Sequence, residues 1–288
     1  MQKNQRLVLK NGNKNRVFMS YLKTFILAVV AFIQLYPLIY LLLFSLKSND
    51  EIFGGNPLGF PKQFLWGNYQ QAINNGQIGR YFINSLIVTA VSIIVSNILI
   101  CMAAYSIARL KWKMSGTVLT TFLLGLMIPA QAALLPLFII LRNLKMLNSY
   151  WALIIPYVAF ALPMGIFIMV GFFATIPKEM EESAVIDGCN IYQAFFYIIL
   201  PLVKSAIVTI SIFTYLGCWN ELMFAVTFIN NDNLKTLPIG ITNLVGQYST
   251  DWGPIGAGLV IATLPSVLIY VLLSSNVQKS FTSGAIKG

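Results

Sequence analysis

Five stretches of this chain, 24–46, 81–108, 114–141, 146–177 and 252–278, contain no Asp, Glu, Lys or Arg. Each is long enough for a helix of the roughly 20 apolar residues that cross about 30 Å of hydrocarbon. A sixth apolar stretch, 205–229, is interrupted only by Glu221. Composition agrees: 57% of the 288 residues are hydrophobic and 10% are charged, where soluble domains carry about a quarter charged residues. The expected fold class is an all-α membrane protein of six transmembrane helices, with spans near 22–46, 82–108, 115–141, 150–174, 204–229 and 254–276.

Orientation follows from the basic residues. The N-terminus, the 109–113 turn, Lys178, Lys204 and the tail carry 13 of the 19 Lys and Arg, and the opposite side carries 6. The richer side is expected in the cytoplasm, so both termini face inward. The first apolar stretch lacks an evident small-x-small cleavage site and reads as a retained helix. This divides the chain into a basic cytoplasmic N-terminus (1–17), a transmembrane domain (18–276) and a cytoplasmic tail (277–288). The net charge of +10 then serves topology and anionic lipid, not nucleic acid.

Several function classes are closed off. There is no histidine, which removes His-based acid–base catalysis and most zinc sites. Cys101, Cys189 and Cys218 are too scattered for a disulfide framework or a metal cluster, so no catalytic or metal site is expected. No internal repeat is visible, which withholds support from an inverted-repeat carrier. Pro37, Pro129, Pro136, Pro156, Pro163 and Pro265 fall in spans and are expected to bend their helices. The bends either reflect bundle packing or open a cavity at mid-membrane. The 47–80 loop is rich in Gly and Pro and has room for at most a short helix near 68–74.

The segment 177–201, PKEMEESAVIDGCNIYQAFFYIILP, carries the most information. Pro177 suits a first helical position, and Glu179, Glu181 and Glu182 suit the positive end of a helix dipole. Gly188 fits a helix end, and a second helix is expected from about Asn190. Met180 shares a face with Ala184, as Ser183 does with Asp187. Such a helix–turn–helix either rests on the membrane or slots into a groove on a partner.

The spacing of Glu182-Ser183-Ala184, Gly188, Ile198 and Leu200-Pro201 resembles the EAA loop of ATP-binding-cassette import permeases. Asn84-Ser85-Leu86, the run from Ala103 to Arg109, Trp219-Asn220-Glu221-Leu222, Thr236-Leu237-Pro238-Ile239-Gly240 and the glycine-rich ending Phe281 to Gly288 extend the resemblance over roughly 18–288. They narrow it to the maltose-type carbohydrate importer permeases, on the side of the smaller permease subunit. Ser183 departs from the family's middle alanine, and Ser205 stands where proline is frequent.

The resemblance implies a permease subunit of a bacterial inner-membrane sugar importer, with an oligosaccharide as cargo. Its partners would be a second homologous permease, two cytoplasmic ATPases and an extracellular sugar-binding protein. Glu182, Ser183, Ala184, Asp187, Gly188, Ile198, Leu200 and Pro201 would couple to the ATPase, and Gly284, Lys287 and Gly288 would reach it from the tail. The sequence has no G-x-x-x-x-G-K-[ST] loop, so this chain would bind no cofactor itself; ATP and Mg would sit on the ATPase.

Glu221 lies about 24 Å along the fifth span by helix rise. An acid there either serves the pathway, bonding with Asn220, or ends the apolar stretch. Gln131 and Asn97 line the pathway or bond between helices. Trp219 and Trp252 suit an interfacial belt or stacking on a sugar ring. Two other classes stay open. An ion-coupled secondary carrier would place more ionisable groups in mid-span. A membrane enzyme would need more than the Asp187-Gly188 pair.

Overall fold

The computed structural model describes the backbone of residues 2–110, 112–246 and 250–285, and within these the side chains from 19 to 273. It is all-helical, with no strand among the described residues. In chain order the helices are α1 (Gln2–Phe44), α2 (Gly67–Asn74), α3 (Ile78–Arg109), α4 (Ser115–Gly125), α5 (Ala130–Asn143), α6 (Trp151–Phe173) and α7 (Glu179–Ile186). They continue as α8 (Ile191–Gln193), α9 (Leu200–Leu202), α10 (Lys204–Trp219), α11 (Met223–Phe228), α12 (Leu237–Asn243) and α13 (Trp252–Ala285). A π-helical segment, Ala194–Ile199, joins α8 to α9.

Four helical segments are long and apolar enough to cross a membrane: Met19–Phe44, Ile78–Arg109, Trp151–Phe173 and Trp252–Leu273. The expected third and fifth spans are not single helices. α4 and α5 meet at 99°; the fifth span is interrupted between α10 and α11, and Ile191–Leu202, ahead of that span, meets α10 at 75°. Counting each bent pair as one crossing restores six. The first break falls where Pro129, extended at ψ 131°, precedes α5, since a residue without an N–H cannot continue the ladder. Pro156 and Pro163 sit inside an unbroken α6, so proline alone did not locate the sharp bends.

The chain divides into two compact units, Met1–Gln70 with Asp251–Val260, and Gln71–Thr250 with Ile261–Gly288. In the first, α1 leaves most of the large apolar side chains of 19–42 exposed. The loop after it folds around Lys47, which is 1% exposed. Its Nζ donates to the carbonyls of Asn56 and Pro57 at 2.7 and 3.0 Å, and the Asn68 amide donates to those of Ser45 and Lys47. Trp252 meets Phe53 edge-on.

The second unit is built on α3 against α6. Gly165 permits their close approach, because a Cβ there would run into the Ile100 side chain. Two apolar clusters form along this pair. One gathers Val88, Leu153, Tyr157 and Phe228, with α11 and the start of α6. The other gathers Ile100, Tyr105, Ile166, Phe173, Phe195 and Ile199, and so ties the 191–202 segment to the far ends of α3 and α6.

Candidate coupling segment and central cavity

The 174–203 segment is a helix–turn–helix. α7 begins at Glu179, with Pro177 two residues ahead of it, not at the first helical position. The reason is local: Arg109 holds the carbonyls of Ile176 and Pro177, and α7 opens only beyond them. The helix stops in a Schellman arrangement. Cys189 N–H donates to the Ala184 carbonyl at 2.9 Å and Gly188 N–H to that of Val185 at 3.0 Å, with Gly188 at φ +87°. That left-handed conformation suits glycine. Asn190 then starts α8 with a reciprocal capping box: its side chain accepts from Gln193 N–H, and the Gln193 side chain accepts from Asn190 N–H, both at 2.9 Å.

Pro201 cannot donate to the carbonyl of Tyr197 four residues back, and its ring would crowd that oxygen. The wider π turn ahead of it accommodates both. Phe195 is buried against Tyr105, centroids 4.8 Å apart, while Tyr105 also meets Phe173 edge-on at 5.8 Å. These rings anchor the segment to α3 and α6. On α7 itself Ala184 is buried, whereas Glu182, Ser183 and Asp187 are exposed. Val185 and Ile186 are 63% and 85% exposed. Ile198 and Leu200 pack at the edge of the second cluster, and Pro201 is exposed. Gly284 falls in α13, and Lys287 and Gly288 lie outside the described residues.

Between α6, α10 and α11 lies a cavity of about 350 Å³, lined by Tyr157, Phe160, Phe213, Thr214, Glu221 and Phe224 among others. Glu221 stands at the break between α10 and α11. Its Oε1 accepts from Phe224 N–H at 2.7 Å; its Oε2 accepts from Ala225 N–H at 3.1 Å and from the Tyr157 hydroxyl at 2.7 Å. It therefore caps the first turn of α11, where a carboxylate also meets the favourable end of the helix dipole. The expected bond to Asn220 is not made, because the Asn220 amide turns back to the Leu216 carbonyl at 3.0 Å. Asn220 and Gln131 are exposed and outside the cavity lining. Asn97 bonds between helices, its amide donating to Ser211 Oγ at 2.7 Å.

Trp219 is not a belt residue. It is 3% exposed, stacks on Tyr215, and donates from Nε1 to the Ala262 carbonyl at 3.0 Å. The apolar ring and its single donor are both satisfied inside the bundle. Trp252 is 39% exposed.

Residues 98–283 match the family described as binding-protein-dependent transport system inner membrane component. The chain belongs to that family. It is accordingly a multi-pass inner-membrane permease of the ATP-binding-cassette class. Among its relatives, the probable ABC transporter permease protein YurM of Bacillus subtilis is 38% identical over 253 residues, 88% of this chain and 84% of that one. The diacetylchitobiose uptake system permease protein NgcG of Streptomyces coelicolor is 32% identical over 257 residues, 88% and 85% of the two chains. The fold matches a crystal structure of a bacterial ABC transporter that imports the acidic polysaccharide alginate, with TM-score 0.79 and 20% identity, over 91% of this chain and 97% of that one.

Motif pieces far apart in this permease's sequence meet in space. The Asn84 amide donates to the carbonyls of Asn233 and Lys235 at 2.9 and 2.8 Å, and its oxygen accepts from the Tyr150 hydroxyl at 2.8 Å. Ser85 Oγ accepts from Leu237 N–H at 2.8 Å. Asn84-Ser85 thus pins the Thr236-Leu237-Pro238 turn. Sequence reasoning did not foresee three side chains that hold these elements together. Tyr157 carried no pattern of its own among the apolar residues of α6. Arg109 was legible as a charge for topology and as the end of a family-like run, and Glu181 as a charge for a helix dipole, but nothing in the sequence paired the two.

Proposed function

We propose that this permease is the membrane-spanning subunit of an ATP-driven importer of sugars, with an oligosaccharide as cargo. It forms the translocation pathway with a second homologous permease, receives the sugar from an extracellular binding protein, and couples to two cytoplasmic ATPases. In this reading the termini and the 177–201 loop face the cytoplasm. The chain is not itself catalytic, and ATP and Mg are held by the ATPase. The NgcG relative, named for a disaccharide uptake system, supports the cargo class.

One observation carries the coupling role: α7 is a short helix with a single buried anchor, Ala184, and an uncovered apolar tip, Val185 and Ile186. Exposed apolar side chains at a helix end suit a groove on another protein, and a docked helix that moves as a body supplies the discrete element coupling requires. Glu182, Ser183, Asp187 and Gly188 surround that tip, with Ile198, Leu200 and Pro201 on the helix behind it. Gly284, Lys287 and Gly288 are the proposed tail contacts. Gln131, Asn220 and Glu221 are the polar residues proposed for the pathway, and Glu221 has the added support of the cavity it lines.

The test is gentle affinity purification of the tagged chain from its native membrane, with native mass spectrometry of the product. The expected complex contains a second multi-span subunit and two ATPase copies. A chain that stays alone or self-associates, under conditions that preserve other complexes, overturns the proposed partners and the coupling role.

A further inference from the structure

Arg109, the last residue of α3, has a side chain that is 4% exposed. Its Nε donates to both carboxylate oxygens of Glu181 at 3.0 and 3.1 Å. Nη1 donates to the carbonyl of Ile176 at 2.9 Å and to that of Phe173 at 3.3 Å, and Nη2 reaches that of Pro177 at 3.4 Å. Phe173 ends α6, and carbonyls at a helix end lack intrahelical donors. The guanidinium fork satisfies several of them at once, and its charge suits that end of the dipole. One side chain thus joins three elements: the end of α3, the end of α6 and the first turn of α7.

Glu181 and Glu182 are neighbours with different surroundings. Glu181 turns inward to Arg109 and its side chain is 21% exposed; Glu182 is exposed. The EAA-like motif begins at Glu182, so its pattern does not include Glu181. Without the ion pair, residues 174–178 would be an irregular linker, free to bend as α7 moved. With it, that linker is bracketed by α3 on one side and by α7 on the other.

We propose that Arg109 and Glu181 are positioning residues that form a transmission clamp, making α7 move as one body with α3 and α6. The proposal rests on the reading of α7 as the coupling helix. A displacement of α7 by the ATPase would then be passed to the two longest-packed helices of the second unit instead of being absorbed in the linker. By linkage, a signal arriving from the opposite face would travel back the same way.

The test uses the whole complex in proteoliposomes and reads how strongly the cognate sugar-binding protein, added as isolated, stimulates ATP hydrolysis. Arg109→Gln and Glu181→Gln are compared with the unaltered complex for ATPase content, basal hydrolysis and stimulation. Each variant is expected to keep the ATPase and basal hydrolysis but to lose about fivefold in stimulation, inside the range that residues along a coupling route produce. The double variant is expected to lose no more than the worse single one, because both act through one contact.

A merely structural role would lower the yield of complex and leave stimulation per assembled complex at its original value, which overturns the clamp. Additive losses in the double variant overturn the pairing. If Arg109→Gln does not assemble, Glu181→Gln decides alone, since it keeps the side-chain size at a partly exposed position; unchanged stimulation there is fatal to the proposal. An unaltered complex that holds no ATPase, or that the binding protein does not stimulate, overturns the importer reading itself and is recognised before any variant is made.

Discussion

Gly188 and Glu221 act through backbone geometry. At Gly188 a Cβ would meet nothing within 4 Å, so a substitution there costs conformational strain, about 1–2 kcal/mol for a left-handed non-glycine residue, and no clash. Gly188→Leu is expected to insert in the membrane normally but to lose ATPase copurification and ATP-driven uptake. Gly188→Asn should recover much of both, since asparagine tolerates that conformation. Uptake at the original rate in Gly188→Leu would remove the turn from the coupling role. At Glu221 the amide of Gln retains one acceptor oxygen where the two carboxylate oxygens accept from three donors. Glu221→Gln should therefore lower stability in detergent by about 1–3 kcal/mol, while Tyr157→Phe, which spares both backbone N–H groups, should lower it less. Melting curves that rank the two in the opposite order would contradict the capping role.

Elements in this molecule are interrupted where a polar or imino residue changes the hydrogen-bond ladder. Pro129 stands at the turn between α4 and α5, Glu221 at the gap between α10 and α11, and Pro201 behind the π turn that leads into α9. The same logic holds the coupling segment in place through few contacts: the Tyr105, Phe173 and Phe195 rings and the Arg109 clamp. Phe195→Ala removes the ring by which the segment packs on Tyr105 and is expected to cost about 3–5 kcal/mol, as for other buried aromatic truncations. The loss should appear locally, as faster proteolysis within 174–193, with the rest of the second unit unaffected. Uniformly increased cleavage would mean that Phe195 supports the unit as a whole.

At the scale of the whole molecule, the fold presents four long apolar helices and two bent pairs, and the direction in which they thread the membrane rests on the distribution of Lys and Arg. A membrane-impermeant maleimide checks it. In a background without the three native cysteines, Asn56→Cys should react in intact cells, whereas Ser183→Cys should react only after the membrane is opened. The reverse pattern would invert the topology and place α7 away from any cytoplasmic ATPase. Reaction at both sites in intact cells would mean that the number of crossings between them is even.

Class and family were legible in the residues because both depend on local statistics. Runs without charge mark membrane helices wherever they occur, and the EAA-like spacing sits within one contiguous segment whose helix stop at Gly188 and start at Asn190 follow from backbone chemistry. The tertiary structure decided whatever depends on pairs far apart in the chain. Arg109 and Glu181, Tyr157 and Glu221, and Asn84 with Asn233 and Lys235 are separated by 64 to 151 residues, and no periodicity links them. Trp219 shows the same limit, since its burial against Tyr215 and its bond to Ala262 depend on how α10 meets α13. A hydrophobic pattern states that a helix will enter the membrane; in hydrocarbon, where every face is equally apolar, only side-chain packing and the few polar pairs decide which face meets which neighbour.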